Sequence, residues 1–191
     1  MIAGLLLAAG ASTRFAANKL LHLLPDGTPI GVAAARNLRI AIPHSFAIVR
    51  SADTELTRLL RAEGLEIVVC ERANEGMGYS LACGVAATPH ADGWLIALAD
   101  MPFISPETIL NVAHRLQAGA AIAAPALNGV RGHPVGFAHS FHPDLVALGG
   151  DCGARHLLHR YANQIQLIAC DDPGIYRDID TPADLNNSAK A

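Results

Sequence analysis

Short, mostly apolar runs recur along this chain, and helical patterns separate them. Ile2 to Ala8, "LEIVVC" from Leu65 to Cys70 and "GWLIALAD" from Gly93 to Asp100 are the strongest runs. A strand that faces water on one side alternates polar and apolar residues. A run that is apolar at nearly every position has both faces covered. Between the runs lie helical patterns over 30–40, over 53–62 with Asp53 as its start, and over 77–87. Another helix begins at Ser105, where Ser-Pro-Glu supplies a cap, a proline at the first helical position and an acid in the first turn. Ser45 to Val49, "AAIAAPAL" (120–127) and "HPVGFA" (133–138) are further strand candidates. The alternation predicts an α/β fold: a mostly parallel sheet with helices on both faces. Such sheets bind ligands beyond the carboxyl ends of their strands, so the loops after Ala8, Cys70 and Ala99 frame the expected site. The 128–155 stretch is rich in Gly, Pro and His and breaks the rhythm. It reads as an insertion of loops and short strands within a single domain spanning 1–191.

Several function classes conflict with the composition. Charged residues are 16% of the chain and the net charge is −3, with no like-charge run longer than a pair, so the basic stripe of a nucleic-acid binder is missing. Cys70, Cys83, Cys152 and Cys170 form no C-x-x-C and fit no zinc spacing, and they read as free thiols. His139 with His142, and His156 with His159, are three apart but have no partner pattern for a metal. The apolar N-terminus lacks a preceding Lys or Arg and is short for a secretory leader or a membrane span, so it reads as a buried strand. No membrane partner is expected, and the cytoplasm is the default location.

"LAAGASTRFAANK", from Leu7 to Lys19, contains two cations and no acid; the first carboxylate of the chain is Asp26. Neither G-x-x-x-x-G-K-[ST] nor G-x-G-x-x-G is present. Small residues (Ala8, Ala9, Gly10, Ala11, Ser12) allow backbone N–H groups close to an anion. Arg14 can grip phosphate oxygens through two donors, and Lys19 can neutralise as a point charge. A loop bearing two solvated cations is the plain alternative. Two distant acids tip the balance. Asp100 ends a buried strand, where an uncompensated charge is costly. Asp180 lies in "YRDIDTPADL", where Thr181, Pro182 and Asp184 resemble a helix start with a capping box. Two carboxylates, phosphate oxygens and water are how Mg²⁺ is ordinarily held. Of the two neighbouring acids, Asp180 is expected to matter strongly and Asp178, taken to face away, is not.

"LAAGASTRFAANKLL", "GMGYSL", "LADMP", "RGHPVGF", "GDCGARHLL" and "DIDTPADL" occur in the order found in the molybdenum cofactor cytidylyltransferases. Over almost its whole length the chain resembles that branch of the MobA-like nucleotidyltransferases. The resemblance implies a Rossmann-like, glycosyltransferase-A type fold. It also implies Mg²⁺-dependent transfer of a nucleoside monophosphate from an NTP to the phosphate of a molybdopterin-type cofactor, with release of pyrophosphate. By position it assigns Leu7, Ala8, Ala9, Gly10, Ser12, Arg14 and Lys19 to the nucleotide, with Ala8 to Gly10 along the base and both cations on the phosphates. Gly76, Gly78 and Ser80 match the second nucleotide motif, and Asp100 and Asp180 the metal-binding acids. Arg131, Gly132, His133 and Pro134, with Gly150, Asp151, Gly153 and Arg155, match the acceptor segments. Ala9 stands where guanylyl-transferring relatives resemble "LAGG", which favours CTP. Ala16 departs from the glycine usual after the Arg-Phe pair and puts the local loop geometry in question.

The expected reaction is attack by the cofactor's terminal phosphate on the α-phosphorus of CTP. The nucleophile is already an anion, so positioning and charge neutralisation carry the catalysis, with Arg14, Lys19 and Asp100 as the catalytic groups. The product would be a cytosine dinucleotide cofactor, and transient contact with a molybdenum hydroxylase or its maturation factor is implied. Three other readings stay open: a GTP-using relative, a transferase acting on a sugar or alditol phosphate, and a non-catalytic molybdenum cofactor chaperone.

Overall fold

The computed structural model describes residues 1–10, 18–52, 54–181 and 184. Arg14, Ser12, Ala16, Asp53 and Pro182 therefore lie outside the described residues. The described strands are β1 (Ile2–Leu7), β2 (Ser45–Val49), β3 (Glu66–Val69), β4 (Gly93–Leu98), β5 (Ile122–Leu127), β6 (Val130–Arg131), β7 (Val135–Ala138) and β8 (Ile165–Ala169). The helices are α1 (Ile30–Ala41), α2 (Glu55–Ala62), α3 (Met77–Ala87), α4 (Pro106–Gln117), α5 (His142–Val146) and α6 (Arg155–Arg160). Together the strands form one sheet in the order β3-β2-β1-β4-β7-β5-β6, with β8 also paired to β5. Strands β3, β2, β1 and β4 run parallel, and β8 runs parallel to β5. β7 runs antiparallel to both of its neighbours, β4 and β5. The α/β reading with a mostly parallel sheet holds.

Alternate residues of the central strands feed two cores. Leu6 and Leu95 join Ile30, Leu38, Ile109 and Val112 on one face. Leu5, Trp94 and Ile96 join Leu81, Val85, Phe137 and Leu145 on the other. Trp94 is fully buried, and its indole N–H donates to Thr88 Oγ1 at 2.8 Å, which satisfies its polar atom. Gly136 has no side chain because Leu116 of α4 presses on it: a Cβ there would lie 2.5 Å from Leu116 Cδ1.

Two readings change. Helix α2 is capped by Thr54, whose hydroxyl accepts from Thr57 N–H at 3.1 Å, so the helix begins at Glu55. The 128–155 stretch is not peripheral throughout, since β7 sits inside the sheet between β4 and β5. One strand had no sequence signal. β8, "IQLIA", is an edge strand with half-exposed or exposed residues throughout and no clean alternation.

The C-terminal segment is tied to the body by Asp172. Its carboxylate accepts from Ser105 N–H at 2.9 Å, Thr108 Oγ1 at 2.7 Å and Gly174 N–H at 2.9 Å. It thus caps α4 beside Ser105 and fixes the turn that carries the chain toward Asp180. Asp172→Ala is expected to lower the unfolding free energy by about 2 kcal/mol, the scale for several donors to a charged acceptor losing their partner. Urea denaturation at neutral pH checks it, and an unchanged midpoint would separate Asp172 from the stability of this segment.

Candidate active site

Four parallel strands end at the same edge of the sheet, and β7 begins there. Because β7 is antiparallel, with Ile96 opposite Val135, the residues before it emerge beside those after β4. That register sets "RGHP" next to Asp100. The 131–133 segment is held on both sides: Gly132 N–H donates to Pro125 carbonyl at 2.9 Å, and His133 N–H to Ile175 carbonyl at 3.0 Å. A Cβ on Gly132 would lie 2.6 Å from Ile175, so only glycine fits. A cis bond joins His133 to Pro134, which is buried.

Asp100 and Asp180 are brought together by backbone as well as charge. Ile179, 1% exposed, donates its N–H to Asp100 carbonyl at 2.9 Å. Between the two carboxylates lies Lys19 Nζ, 2.8 Å from Asp100 Oδ2 and 3.0 Å from Asp180 Oδ1. The lysine therefore sits on the acids, not out over the cleft where the phosphates were expected. Burial pulls its pKa down, but hydrogen bonds and the charges of Asp100 and Asp180 outweigh that, and the net direction is upward. Asp184 accepts from the N–H groups of Asp180 at 3.1 Å and Thr181 at 2.7 Å, as the capping reading anticipated. Asp178 is exposed, but it lies two residues from Asp180, and positions two apart share a face of an extended segment, so the expected opposite faces do not follow.

Two clefts adjoin at this edge. The first, about 280 Å³, is lined by Leu7, Ala9, Gly10, Gly76, Ser80, Asp100 and Asp151, with Arg50 and Asn74. The second, about 260 Å³, is lined by Arg131, His133 and Arg155 against Leu81, Ile96, Val135, Phe137 and Leu158. Leu7, Met77 and Leu98 line both and so form the wall they share. Of the expected residues that line these clefts, Ala9, Gly10, Gly76, Ser80 and Asp100 line the first and Arg131, His133, Gly153 and Arg155 the second; Leu7 lines both, and Asp151, assigned to the acceptor, lines the first. Ala8, Lys19 and Asp180 line neither.

The glycines of "GMGYSL" serve packing. Gly78 donates its N–H to Gly150 carbonyl at 2.8 Å, so that donor is not free for a phosphate. A Cβ on Gly78 would lie 2.6 Å from Gly149 carbonyl, and one on Gly76, with φ +130°, 2.3 Å from Gly150. The start of α3 and the "GDCGAR" loop interlock, and both line the clefts. Ala9 is 4% exposed and its methyl packs in the core, so any influence on base choice passes through the loop's backbone.

Arg50 was not singled out from sequence. Its Nε donates to Ala9 carbonyl at 2.6 Å and braces the first loop. The rule that flagged Asp100, a charge immediately after a buried strand, applies equally to Arg50 after β2.

Among the described residues, none lining the second cleft carries a carboxylate. Burial first, then repulsion from Arg155, pushes the Arg131 pKa down, and both guanidinium groups line this cleft. Burial chiefly, and the charge of Arg131 next, push His133 down to about 4, against a weaker upward pull from Asp100. His133 is therefore neutral at pH 7. Its Nδ1 is buried and has no hydrogen-bond partner among the described residues.

The MobA-like NTP transferase domain model matches residues 4–166. The chain belongs to the MobA-like NTP transferase family. The nicotine blue oxidoreductase of Paenarthrobacter nicotinovorans is 31% identical over 188 residues, covering 94% of this chain and 92% of that protein. The purine catabolism protein PucB of Bacillus subtilis is 31% identical over 201 residues, covering 98% and 96%. Among solved structures, Rv0371c of Mycobacterium tuberculosis superposes with a TM-score of 0.82 at 26% identity, covering 100% of this chain and 98% of that one. The same Mycobacterium protein has been solved in complex with manganese, with TM-score 0.77, 27% identity and coverage of 97% and 96%. A nucleotidyl transferase from Methanothermobacter shares the fold, with TM-score 0.81 at 20% identity over 98% and 95% of the two chains. This family member carries the nucleotidyltransferase fold, and no helix among its described residues is long and apolar enough to cross a membrane.

A pH prediction follows from His133. Its folded pKa lies below that of a free imidazole, so the unfolded chain binds the extra proton first. The stability of the neutral form is complete above about pH 6.5 and is lost progressively as pH falls toward about 4. The loss is of the order of a few kcal/mol. His133→Leu is expected to flatten this part of the profile. Urea unfolding of both proteins at pH 7.5, 6 and 5 reads the difference, and parallel profiles would refute the assignment.

Proposed function

We propose that the protein transfers CMP from CTP to the terminal phosphate of a molybdopterin-type cofactor, giving the cytosine dinucleotide cofactor and pyrophosphate. The observation that carries the reading is the pair of adjoining clefts: carboxylates border one, and guanidinium groups with no acid among the described lining residues face apolar walls in the other. The first suits a nucleotide with its metal ion, the second a flat ring bearing an anion. Leu7, Met77 and Leu98 between them give a short path from acceptor to α-phosphorus.

Asp100 and Asp180 are suited to Mg²⁺. Their oxygens already converge on one cation within 3.0 Å, and carboxylates with phosphate oxygens and water are the usual donors for this ion. When bound there, the ion would supply charge neutralisation at the phosphates. The manganese complex of the Mycobacterium relative supports a divalent ion. The remaining work belongs to the chain. The backbone of Ala8 to Gly10, braced by Arg50, lies against the nucleotide, and Ser80 borders it from α3. Lys19, with Arg14 from the same loop, neutralises the phosphates. Arg131 and Arg155 hold the acceptor's phosphate, while neutral His133 offers its ring to the pterin. The acceptor oxygen bonds to the α-phosphorus, the bond from that phosphorus to the bridging oxygen breaks, and the pyrophosphate departs with those electrons. No proton needs removing from the nucleophile.

Pyrophosphate release from each of the four NTPs, with Mg²⁺ and with or without molybdenum cofactor, tests the reading. CTP is expected to be preferred and turnover to require the cofactor. Faster release from GTP would move the chain to the guanylyl-transferring reading. Release with an alditol phosphate in place of the cofactor would favour that substrate class. No release with any pair would leave a binding protein. Asp100→Asn is expected to reduce turnover by about two orders of magnitude or more with an unchanged melting temperature.

Arg155→Ala separates the two clefts. Loss of one charge-assisted bond is expected to raise KM for the cofactor by about tenfold while KM for CTP stays within about twofold. Equal effects on both substrates would place Arg155 outside the acceptor site.

A further inference from the structure

The ammonium group of Lys19 stands where a cation held by Asp100 and Asp180 would stand. It is 2.8 Å and 3.0 Å from their oxygens, and its side chain is only 14% exposed. The lysine is fixed from below: Asn18 caps its short helical turn by accepting from Leu20 N–H at 3.1 Å, and Leu20 is buried. The acids come from positions 81 and 161 residues away, so the contact is built by the fold and not by neighbouring residues. Mg²⁺ sits about 2.0–2.1 Å from its oxygen ligands, so a divalent ion and the ammonium cannot use the same two oxygens from the same place. They also repel each other at that range. A divalent ion beside the ammonium adds two positive charges facing the same pair of carboxylates. A triphosphate changes this balance, because its oxygens offer the displaced ammonium a new anionic partner.

We infer that Lys19 is a built-in counter-ion of the Asp100–Asp180 pair, displaced onto the triphosphate when a divalent cation takes its place, so that metal and nucleotide enter together. The inference rests on the nucleotidyl-transfer reading for the nucleotide's part in it. Metal alone must evict a lysine already salt-bridged to both acids. Metal with nucleotide finds the lysine a partner. Linkage makes the effect reciprocal: whatever factor the nucleotide adds to metal affinity, the metal adds to nucleotide affinity. This also reconciles a phosphate-binding lysine with its observed place between the acids.

Manganese binding without nucleotide, followed by electron paramagnetic resonance, is the test. Lys19→Gln keeps the stem and a hydrogen-bond donor but removes the charge. It is expected to bind Mn²⁺ at least about fivefold more tightly than wild type, the lower end of ordinary coupling between sites. Adding Asp100→Asn to Lys19→Gln is expected to abolish that binding. Equal or weaker Mn²⁺ binding by Lys19→Gln overturns the inference, as does binding that survives loss of Asp100. Circular dichroism melting establishes that the variants are folded. A measurement on the unaltered protein does not depend on them. With lysine labelled by ¹⁵N, the Lys19 Nζ resonance is expected to stay in place with Mg²⁺ alone and to move when a non-hydrolysable CTP analogue is added with it. A resonance that moves fully with Mg²⁺ alone, or stays in place with both, overturns the inference. The manganese titration is blind to the base and the acceptor, so a failed CTP assay and a failed displacement remain separate results.

Discussion

Two carboxylates at the rim of a buried sheet repel one another unless a cation lies between them, and in this protein Lys19 supplies it. The consequence is structural before it is chemical. Asp100 leaves the central strand β4, Asp180 belongs to the last described segment, and Lys19 follows the first loop. Their meeting point joins the beginning, middle and end of the chain. The Ile179 N–H to Asp100 carbonyl bond makes that junction definite, because it fixes backbone and leaves the carboxylates only side-chain freedom. Asp172, anchored on the start of α4, limits the approach of the same segment from the other side.

Around this junction the two clefts are built as one object. The start of α3 and the loop ahead of α6 touch through glycine backbone at distances no side chain would allow. Met77 lies at that contact and forms part of the wall between the clefts. A shift of the 149–153 loop therefore alters both clefts together. The electrostatic division is sharper than the geometric one. Acids border the first cleft, while the second has two guanidinium groups, an imidazole kept neutral by burial, and apolar walls. A cleft of this kind favours an anion that brings its own apolar surface.

Much of this was legible in the sequence because it depends on local pattern. Uniformly apolar runs such as "GWLIALAD" announce a covered sheet, and the position of Asp100 at the end of one announces the functional edge. The Ser-Pro-Glu start of α4 follows from capping chemistry and proved correct, with the Ser105 hydroxyl accepting from Thr108 N–H. Asp100 and Asp180 were both singled out from sequence, and the fold brings them to one cation, Lys19. Arg50 obeys the rule that flagged Asp100, a charge immediately after a buried strand, and could have been found by applying it to cations.

The tertiary structure decided what local pattern cannot encode. Nothing in "HPVGFA" says that β7 enters the sheet antiparallel between β4 and β5, yet that orientation brings His133 within the influence of Asp100. Nothing in "GMG" says that its glycines answer to Gly149 and Gly150, because a close approach is a property of two segments and is written in neither. β8 escaped notice because an edge strand has no buried face to impose a period on its residues. The sequence by itself determined the mostly parallel sheet and the charged groups at the ends of its strands, since burial and charge act residue by residue. The pairing of Lys19 with both acids, the division into two clefts and the placement of Asp151 came only with the fold, since they depend on distances between residues far apart in the chain.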